Sequence, residues 1–123
     1  MTAASLDPPV SDIVSFSVSV VDSVARITAA GEVDSSSAPM LRAELDSALD
    51  GDVRELVIDL DGVTFLDSAG LSVLAGAHRR SLAAGVRLRV LASGRAVIRP
   101  LQITGLWDLL GAEQVEPGTG SAA

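Results

Sequence analysis

The apolar run from Leu56 to Leu60 is the feature that most narrows the fold of this chain. Its sequence is Leu-Val-Ile-Asp-Leu, in which apolar and polar residues do not alternate, so neither face of the strand would be polar throughout. A nearly continuous apolar strand is typical of the middle of a sheet that is covered on both faces, as in proteins whose parallel strands are joined by helices. We therefore expect an α/β protein with this segment as its central strand.

Upstream of this strand, the sequence predicts an antiparallel hairpin. Apolar residues alternate with serines up to residue 20, which is the pattern of a strand with one buried and one polar face. Asp22 and Ser23 are suited to a tight turn, and Val24 to Ala30 continues as a second strand. The side chains expected on the buried face of the first strand are Val14, Phe16, Val18 and Val20.

Leucines four residues apart predict the first helix, from Ala38 to Leu49. Ser35 to Ser37 offer cap oxygens at its start, Pro39 suits its first turn, and Gly51 can end it. The apolar stripe of this helix consists of Leu41, Leu45 and Leu49.

A second helix is predicted to begin at Asp67 to Gly70, to run to about Ala84 and to stop at Gly85. Its buried face is expected to hold Leu71, Leu74, His78 and Leu82, and its outer face Arg79, Arg80 and Ser81.

The alternating segment Val86 to Val90 predicts another strand. Ser93 is then expected to cap a short helix toward Ile103, and Pro100 to break or kink it. Leu106 to Leu110 is expected to form one last helical turn.

The order β-β-α-β-α-β-α predicts a mixed sheet, in which the hairpin precedes parallel strands joined by helices packed against the sheet. We expect one domain over residues 13–111, a disordered N-terminal tail over 1–12 and a flexible C-terminal tail over 112–123.

Composition excludes several function classes. The net charge is −7 and the aromatic content 2%, and the nine basic residues are scattered arginines, so nucleic acid is not an expected partner. Every apolar stretch is too short for a membrane helix, and no membrane partner is expected. The chain contains no cysteine, which suits a reducing compartment, so we expect a cytoplasmic location. No cofactor or metal site is predicted.

Several motifs occur in an order that resembles the STAS family, in particular its phosphorylatable anti-sigma-factor antagonists. The resemblance spans roughly residues 13–110 and departs from the family pattern at Pro100 and Trp107. The motifs are Gly31-Glu32-Val33-Asp34, Ala38-Pro39, Leu41-Arg42, Asp59-Leu60, Phe65-Leu66-Asp67-Ser68-Ala69-Gly70-Leu71, Gly85-Val86-Arg87-Leu88 and Thr104-Gly105-Leu106.

The resemblance implies a bacterial partner-switching regulator that is not an enzyme. Such an antagonist binds an anti-sigma factor while unphosphorylated and thereby frees the sigma factor. The anti-sigma factor, a serine kinase of the histidine-kinase-like ATPase type, phosphorylates it, and a phosphoserine phosphatase reverses the modification. By position, Ser68 matches the phosphorylated residue. The matching partner-binding positions are Gly31, Glu32, Asp34, Asp67, Ala69, Gly70 and Leu71.

Local sequence alone gives Ser68 a simpler role, because an oxygen of Ser68 or Asp67 can cap the second helix. The two roles are compatible, since a helix N-terminus that accepts a side-chain oxygen also accepts a phosphate. Ser68 combines a strand-to-helix junction with small neighbours. The other nearby hydroxyl candidates are Ser35, Ser36, Ser37, Thr64 and Ser72.

The sequence also suggests roles for His78 and Trp107, and it leaves two rival functions open. His78 is expected to be a packing residue, and Trp107 to anchor the C-terminal turn or to contact a partner. Asp59 and Asp61 resemble the nucleophile motif of haloacid-dehalogenase-like phosphatases, but the chain has no lysine to bind the phosphoryl group. The other rival is a regulatory STAS scaffold or sensor without a phosphorylation switch.

Overall fold

Strands and helices alternate along the chain after an initial hairpin, as the sequence predicts. The structure, a computed structural model, describes residues 14–117, so the predicted tail over 1–12 lies outside the described residues. The strands are β1 (Val14–Val21), β2 (Val24–Val33), β3 (Glu55–Leu66), β4 (Arg87–Ala92) and β5 (Glu113–Gln114). The helices are α1 (Ala38–Asp50), α2 (Ser68–Ala84), α3 (Arg95–Ile103) and α4 (Leu106–Leu110). None of these helices is long and apolar enough to cross a membrane.

The five strands form one mixed sheet in the order β1-β2-β3-β4-β5. β1 pairs with β2 in antiparallel fashion, and the three following pairs are parallel. The predicted fold class is therefore confirmed. β5 is an addition that the sequence did not indicate: it pairs with the end of β4, within the stretch from residue 112 that was expected to be a tail.

The hairpin forms as predicted, but only part of its first strand is buried. Asp22 and Ser23 take positive φ angles of 54° and 66°, the geometry of a tight turn whose twist matches the two strands. Val14 is buried, whereas Val18 and Val20 are 43% and 58% exposed. The expected buried face was wrong there, because β1 is the edge strand and contacts between β1 and the helices are few.

The hydrophobic core lies on one face of the sheet, where alternate residues of the inner strands meet the helices. β3 lies at its centre, and Leu56 to Leu60 are all buried, as predicted. The strands contribute Ala25, Ile27, Ala29, Leu56, Ile58, Leu60, Val90 and Ala92, and the helices contribute Leu41, Leu45, Leu74, Ala77, Val97 and Leu101.

The opposite face of the central strand is covered by charged side chains. Val57 lies between Arg26 and Arg89 in the strand register, so the aliphatic stems of both arginines flank it. The next residue on this face, Asp59, is fully buried, and its Oδ2 accepts a hydrogen bond from Nη2 of Arg26 at 2.7 Å. A buried carboxylate requires such a partner, because an unpaired charge in the interior is very costly.

α2 begins and ends where predicted, but its buried face differs from the predicted one. Ser81, expected outside, is 1% exposed, whereas Leu82, expected in the core, is 69% exposed. Small residues form much of the observed buried face, which holds Gly70, Gly76 and Ala77 besides Leu74 and Ser81.

The cap predicted for α3 was wrong, and Pro100 does not break the helix. Its N-cap is Gly94, while the hydroxyl of Ser93 instead hydrogen-bonds the side chain of Asp61. The helix continues through Pro100 to Ile103. Proline removes one helical hydrogen bond here, and the amphipathic packing of Val97 and Leu101 against the core holds the short helix together.

β3 carries two bulges that set the direction of the side chains at its end. Relative to β2 it contains one extra residue after Asp59 and another after Val63. Oδ1 of Asp59 accepts a hydrogen bond from the backbone N–H of Asp61 at 2.9 Å, which fixes the first bulge. After the second bulge Leu66 is buried and Phe65 is exposed. The buried Asp59 thus helps to orient the strand end.

The Arg26–Asp59 pair provides a test of the packing on this face. Arg26→Ala leaves a buried carboxylate without its charged partner, and we expect the free energy of unfolding to fall by ~3–5 kcal/mol. The control is Arg42→Ala, which removes an exposed ion pair with Asp46 of 3.7 Å and should cost about 0.2–1 kcal/mol. Urea denaturation of both variants measures the difference, and equal losses would contradict the assigned role of Arg26.

Candidate functional site

The candidate site lies at the carboxyl ends of β2 and β3, where each strand passes into a loop or helix. Because the two strands are parallel and adjacent, Val33 pairs with Leu66 and both strands end at the same edge of the sheet. The backbone N–H of Asp67 donates to the carbonyl of Val33 at 3.2 Å. Asp34 and Asp67, each one residue beyond its strand, are therefore neighbours. The two motifs that the sequence placed 33 residues apart meet here.

Asp34 organises the turn between β2 and α1. Its Oδ1 accepts hydrogen bonds from the Ser36 hydroxyl at 2.7 Å, the Ser36 backbone N–H at 2.9 Å and the Ser37 backbone N–H at 3.2 Å. These hydrogen bonds lower the pKa of Asp34. The largest contribution comes from the Ser36 hydroxyl and the next from the Ser36 backbone N–H. The carboxylate thus holds the turn that precedes α1. Ser37 is the N-cap residue of α1 but makes no side-chain cap hydrogen bond, so the cap expected from the serine oxygens does not form.

The side chain of Ser37 is buried and makes two further hydrogen bonds in the same turn. Its hydroxyl donates to the carbonyl of Glu32 at 2.9 Å and accepts from the backbone N–H of Asp34 at 3.0 Å. Burial of this hydroxyl removes Ser37 from the set of accessible phosphoacceptors. The side chain of Glu32 remains exposed at the end of β2.

Asp67 caps α2. Its Oδ1 accepts from the backbone N–H groups of Ala69 at 2.9 Å and Gly70 at 3.2 Å. These are donors that would otherwise lack an intrahelical partner, and the positive end of the helix dipole favours the carboxylate. Of the two cap candidates in the sequence, Asp67 is therefore the cap.

Ser68 is the first residue of α2, and its side chain is exposed. Its hydroxyl makes no hydrogen bond within residues 14–117, so this oxygen is accessible and chemically uncommitted. Ser72, on the next turn of α2, is also exposed but is held in regular helix, and Thr64 lies within β3. Ser68 alone stands at the strand-to-helix junction.

Gly70 allows α2 to approach the two strand ends closely. A Cβ atom at this position would lie 2.5 Å from Cδ1 of Leu66 and 3.0 Å from Cγ1 of Val33. Gly70 is buried, and it contributes to the site by packing. Gly31 has a φ of 97°, which favours glycine, next to the second bulge. Ala69 and Leu71 are half-buried beside Ser68.

The aspartates of the rival phosphatase motif are used structurally. Asp59 is fully buried and ion-paired with Arg26, so its carboxylate cannot reach a phosphate ester. Asp61 is hydrogen-bonded by Ser93. Over residues 14–117, no cluster of three or more histidine or acidic side chains is arranged to hold a metal ion.

His78 and Trp107 are both half-buried. Trp107 packs against the hydrophobic core, as expected for an anchor of the C-terminal turn. Sequence reasoning did not identify Phe65 as a surface residue: it is 47% exposed although it lies in the strand that leads to Ser68. The bulge that turns it outward has no recognisable signal in the sequence.

The two residues at the start of α2 should differ in their effect on stability. Asp67→Ala removes an N-cap with two acceptor contacts, and we expect a loss of ~0.5–2 kcal/mol, most of which Asp67→Asn recovers. Ser68→Ala removes an exposed hydroxyl without a partner and should change stability by less than ~0.5 kcal/mol. Thermal or urea unfolding distinguishes them, and a larger loss in Ser68→Ala would mean that Ser68 is the cap.

The hydrogen bond between Ser36 and Asp34 can be tested by titration. The Ser36 hydroxyl stabilises the charged carboxylate and lowers its pKa, so Ser36→Ala should raise the pKa of Asp34 toward the ordinary value of an aspartate. Carboxyl carbon shifts followed by NMR against pH measure this directly. Ser35→Ala is the matched control and should leave the Asp34 pKa unchanged; an equal shift there would contradict the assigned contact.

Comparison with known proteins extends these observations to a family. The model of the STAS domain matches residues 15–122. The anti-sigma-F factor antagonist RsfB of Mycobacterium tuberculosis is 34% identical over 94 residues, or 75% of this chain and 76% of the relative. The anti-sigma-B factor antagonist of Bacillus subtilis is 35% identical over 85 residues, or 69% and 77% of the two chains.

A similar structure is also known. The crystal structure of an anti-sigma factor antagonist from Mycobacterium paratuberculosis matches with a TM-score of 0.77 and 31% identity, covering 91% of this chain and 92% of the other. The resemblance seen in the motifs is thus confirmed along the whole sheet and its helices. With its mixed sheet, its capped α2 and these relatives, the chain belongs to the STAS domain family.

Proposed function

We propose that this protein is an anti-sigma-factor antagonist whose switch residue is Ser68. In the unphosphorylated form it binds an anti-sigma factor and frees the sigma factor. The observation that carries the proposal is the exposed, uncommitted Ser68 hydroxyl at a strand-to-helix junction where the carboxylates of Asp34 and Asp67 are hydrogen-bonded within the protein. The names of the relatives, antagonists of anti-sigma factors, support the same function.

The bound anti-sigma factor is proposed to be a serine kinase of the histidine-kinase-like ATPase type. In the transfer, Oγ of Ser68 attacks the γ-phosphorus of ATP, the bond from this phosphorus to the bridging oxygen breaks, and ADP leaves. The hydroxyl proton passes to a base of the kinase or to water. A phosphoserine phosphatase would return the hydroxyl by hydrolysis and reset the switch.

The geometry explains why a phosphate on Ser68 would act at the interface and leave the fold intact. Asp67 already occupies the N–H groups of Ala69 and Gly70, so the phosphate would remain on the surface instead of replacing the cap. It would add about −1.5 to −2 charges next to Asp67. No buried contact is disturbed, because the Ser68 side chain is exposed.

At a docked interface the same phosphate is strongly unfavourable. Desolvating a dianion without new partners costs several kcal/mol, and Asp67 adds repulsion of like charge. A penalty of only ~3 kcal/mol weakens binding about a hundredfold. The switch therefore needs no large conformational change.

The proposed function also accounts for the expected location of the protein and for its net charge. A partner that controls a sigma factor places the protein in the cytoplasm. The net charge of −7 disfavours direct binding to nucleic acid, so the influence on transcription would pass through the anti-sigma factor.

The proposed phosphoacceptor can be tested with the anti-sigma factor that co-purifies with the wild-type chain from its native cells. Incubation with this protein and ATP should add one phosphate to the peptide from Phe65 to Arg79, and the modified chain should bind the anti-sigma factor at least ~30-fold more weakly. Ser68→Ala should remain unmodified and still bind.

Ser72→Ala is the matched control, since Ser72 lies in the same peptide and is also exposed; it should be labelled like the wild type. Undiminished labelling of Ser68→Ala would refute the site, and failure of any anti-sigma factor to bind the wild-type chain would refute the function.

A further inference from the structure

Phe65 stands out because the chain is poor in aromatic residues. It contains two phenylalanines, one tryptophan and no tyrosine. Phe16 and Trp107 are half-buried and pack against the core, whereas Phe65 is 47% exposed. The single exposed aromatic ring of this protein therefore lies in the strand that leads directly to Ser68.

The position of Phe65 relative to Ser68 is set by the backbone. Three residues of chain span at most ~10 Å, which bounds the distance between the two Cα atoms. Phe65 pairs with Glu32 in the register of β2 and β3, while the neighbouring pair Val33 and Leu66 is buried in the core. The ring and the Glu32 carboxylate thus share the face opposite the core, on strands about 4.8 Å apart.

A partner centred on Ser68 is expected to extend over Phe65 as well. A stable interface buries about 800 Å² on each partner, which corresponds to a disc with a radius of about 16 Å. A ring within ~10 Å of the central residue lies inside that disc. Aromatic residues near the centre of an interface, enclosed by contacts that exclude water, commonly dominate the binding energy.

We propose that Phe65 is the apolar anchor by which this protein binds its anti-sigma factor, and that the partner offers an apolar pocket with a basic side chain at its rim to pair with Glu32. This inference rests on the proposed function. A second copy of this chain fits the surface poorly, because a two-fold contact about Phe65 would bring Glu32 close to its own copy between two chains that each carry a net charge of −7.

The anchor and the switch then have separate effects. Phe65 supplies affinity in the unphosphorylated state, and the phosphate on Ser68, within ~10 Å, opposes the same interface. Substitution of Phe65 should weaken binding without removing the acceptor hydroxyl, so the kinase should still modify the variant at a high concentration of the substrate chain. This combination separates an anchor from a phosphoacceptor.

The test uses the anti-sigma factor that co-purifies with the wild-type chain, in titration calorimetry and in steady-state phosphorylation. We expect Phe65→Ala to weaken binding by about 30-fold or more and to raise KM for the chain with little change in kcat. Phe65→Leu should recover part of the affinity. Glu32→Lys should weaken binding and reduce its dependence on salt.

Leu82→Ala is the matched control. Leu82 is a large apolar side chain with 69% exposure, and it lies 14 residues along α2 from Ser68, a distance of about 21 Å at 1.5 Å per residue. This variant should bind like the wild type. Circular dichroism and urea unfolding establish that each variant is folded, and Phe65→Leu and Glu32→Lys test the surface even if Phe65→Ala is unstable.

The outcomes separate the two proposals. If the wild-type chain binds no anti-sigma factor, the proposed function fails and the anchor fails with it. If the wild type binds and is phosphorylated on Ser68, but folded Phe65→Ala and Glu32→Lys bind equally well, the anchor alone is refuted. Equal losses in Phe65→Ala and Leu82→Ala would refute it as well, since the effect would not be specific to this surface.

Discussion

Parallel pairing between β2 and β3 is the interaction on which the rest of the structure depends. It brings together the ends of two strands that are separated in sequence by a whole helix, and it places Asp34 and Asp67 side by side. Asp67 then caps α2, and Asp34 holds the turn that precedes α1. The edge of the sheet is therefore fixed by backbone and cap hydrogen bonds, and what it leaves accessible is a small set of groups that includes the Ser68 hydroxyl and the Phe65 ring.

Local hydrogen bonding explains why the Ser68 hydroxyl can stand at a helix N-terminus without becoming part of the structure. A serine in that position usually accepts a bond from the first free N–H groups. Here the preceding aspartate performs this task, and the serine side chain remains free for chemistry. The cap and the accessible hydroxyl belong to adjacent residues, so the charge of the proposed phosphate on Ser68 need not alter the fold that Asp67 helps to maintain.

The sequence predicted the order of elements, the central strand and the start of α2, because these depend on periodicity and on caps that are local in the chain. It failed where long-range packing decides. Leu82 continued the apolar pattern of α2, yet it is exposed, whereas the small residues Gly70 and Ala77 are buried. The sequence of β1 alternates regularly and therefore predicted that Val18 is buried. Nothing in this pattern shows that β1 lies at the edge of the sheet, where few side chains cover it. The sequence motif was enough to propose Ser68 as the site residue, whereas the exposure of Phe65 depends on a bulge whose position is set by the pairing of two strands.

The poorly covered edge strand β1 has a consequence for how the protein behaves in solution. Its eight residues contain no charged side chain and no proline, and three exposed valines, at positions 18, 20 and 21, lie along it. Such an edge is a template for pairing with another chain, and natural proteins usually block it with charge. In this chain the protection comes from elsewhere, from the net charge of −7 that keeps copies apart at neutral pH. Close to the isoelectric point, pI ≈ 4.4, that repulsion disappears while the strand remains exposed, so mild acid should favour association of copies through their first strands.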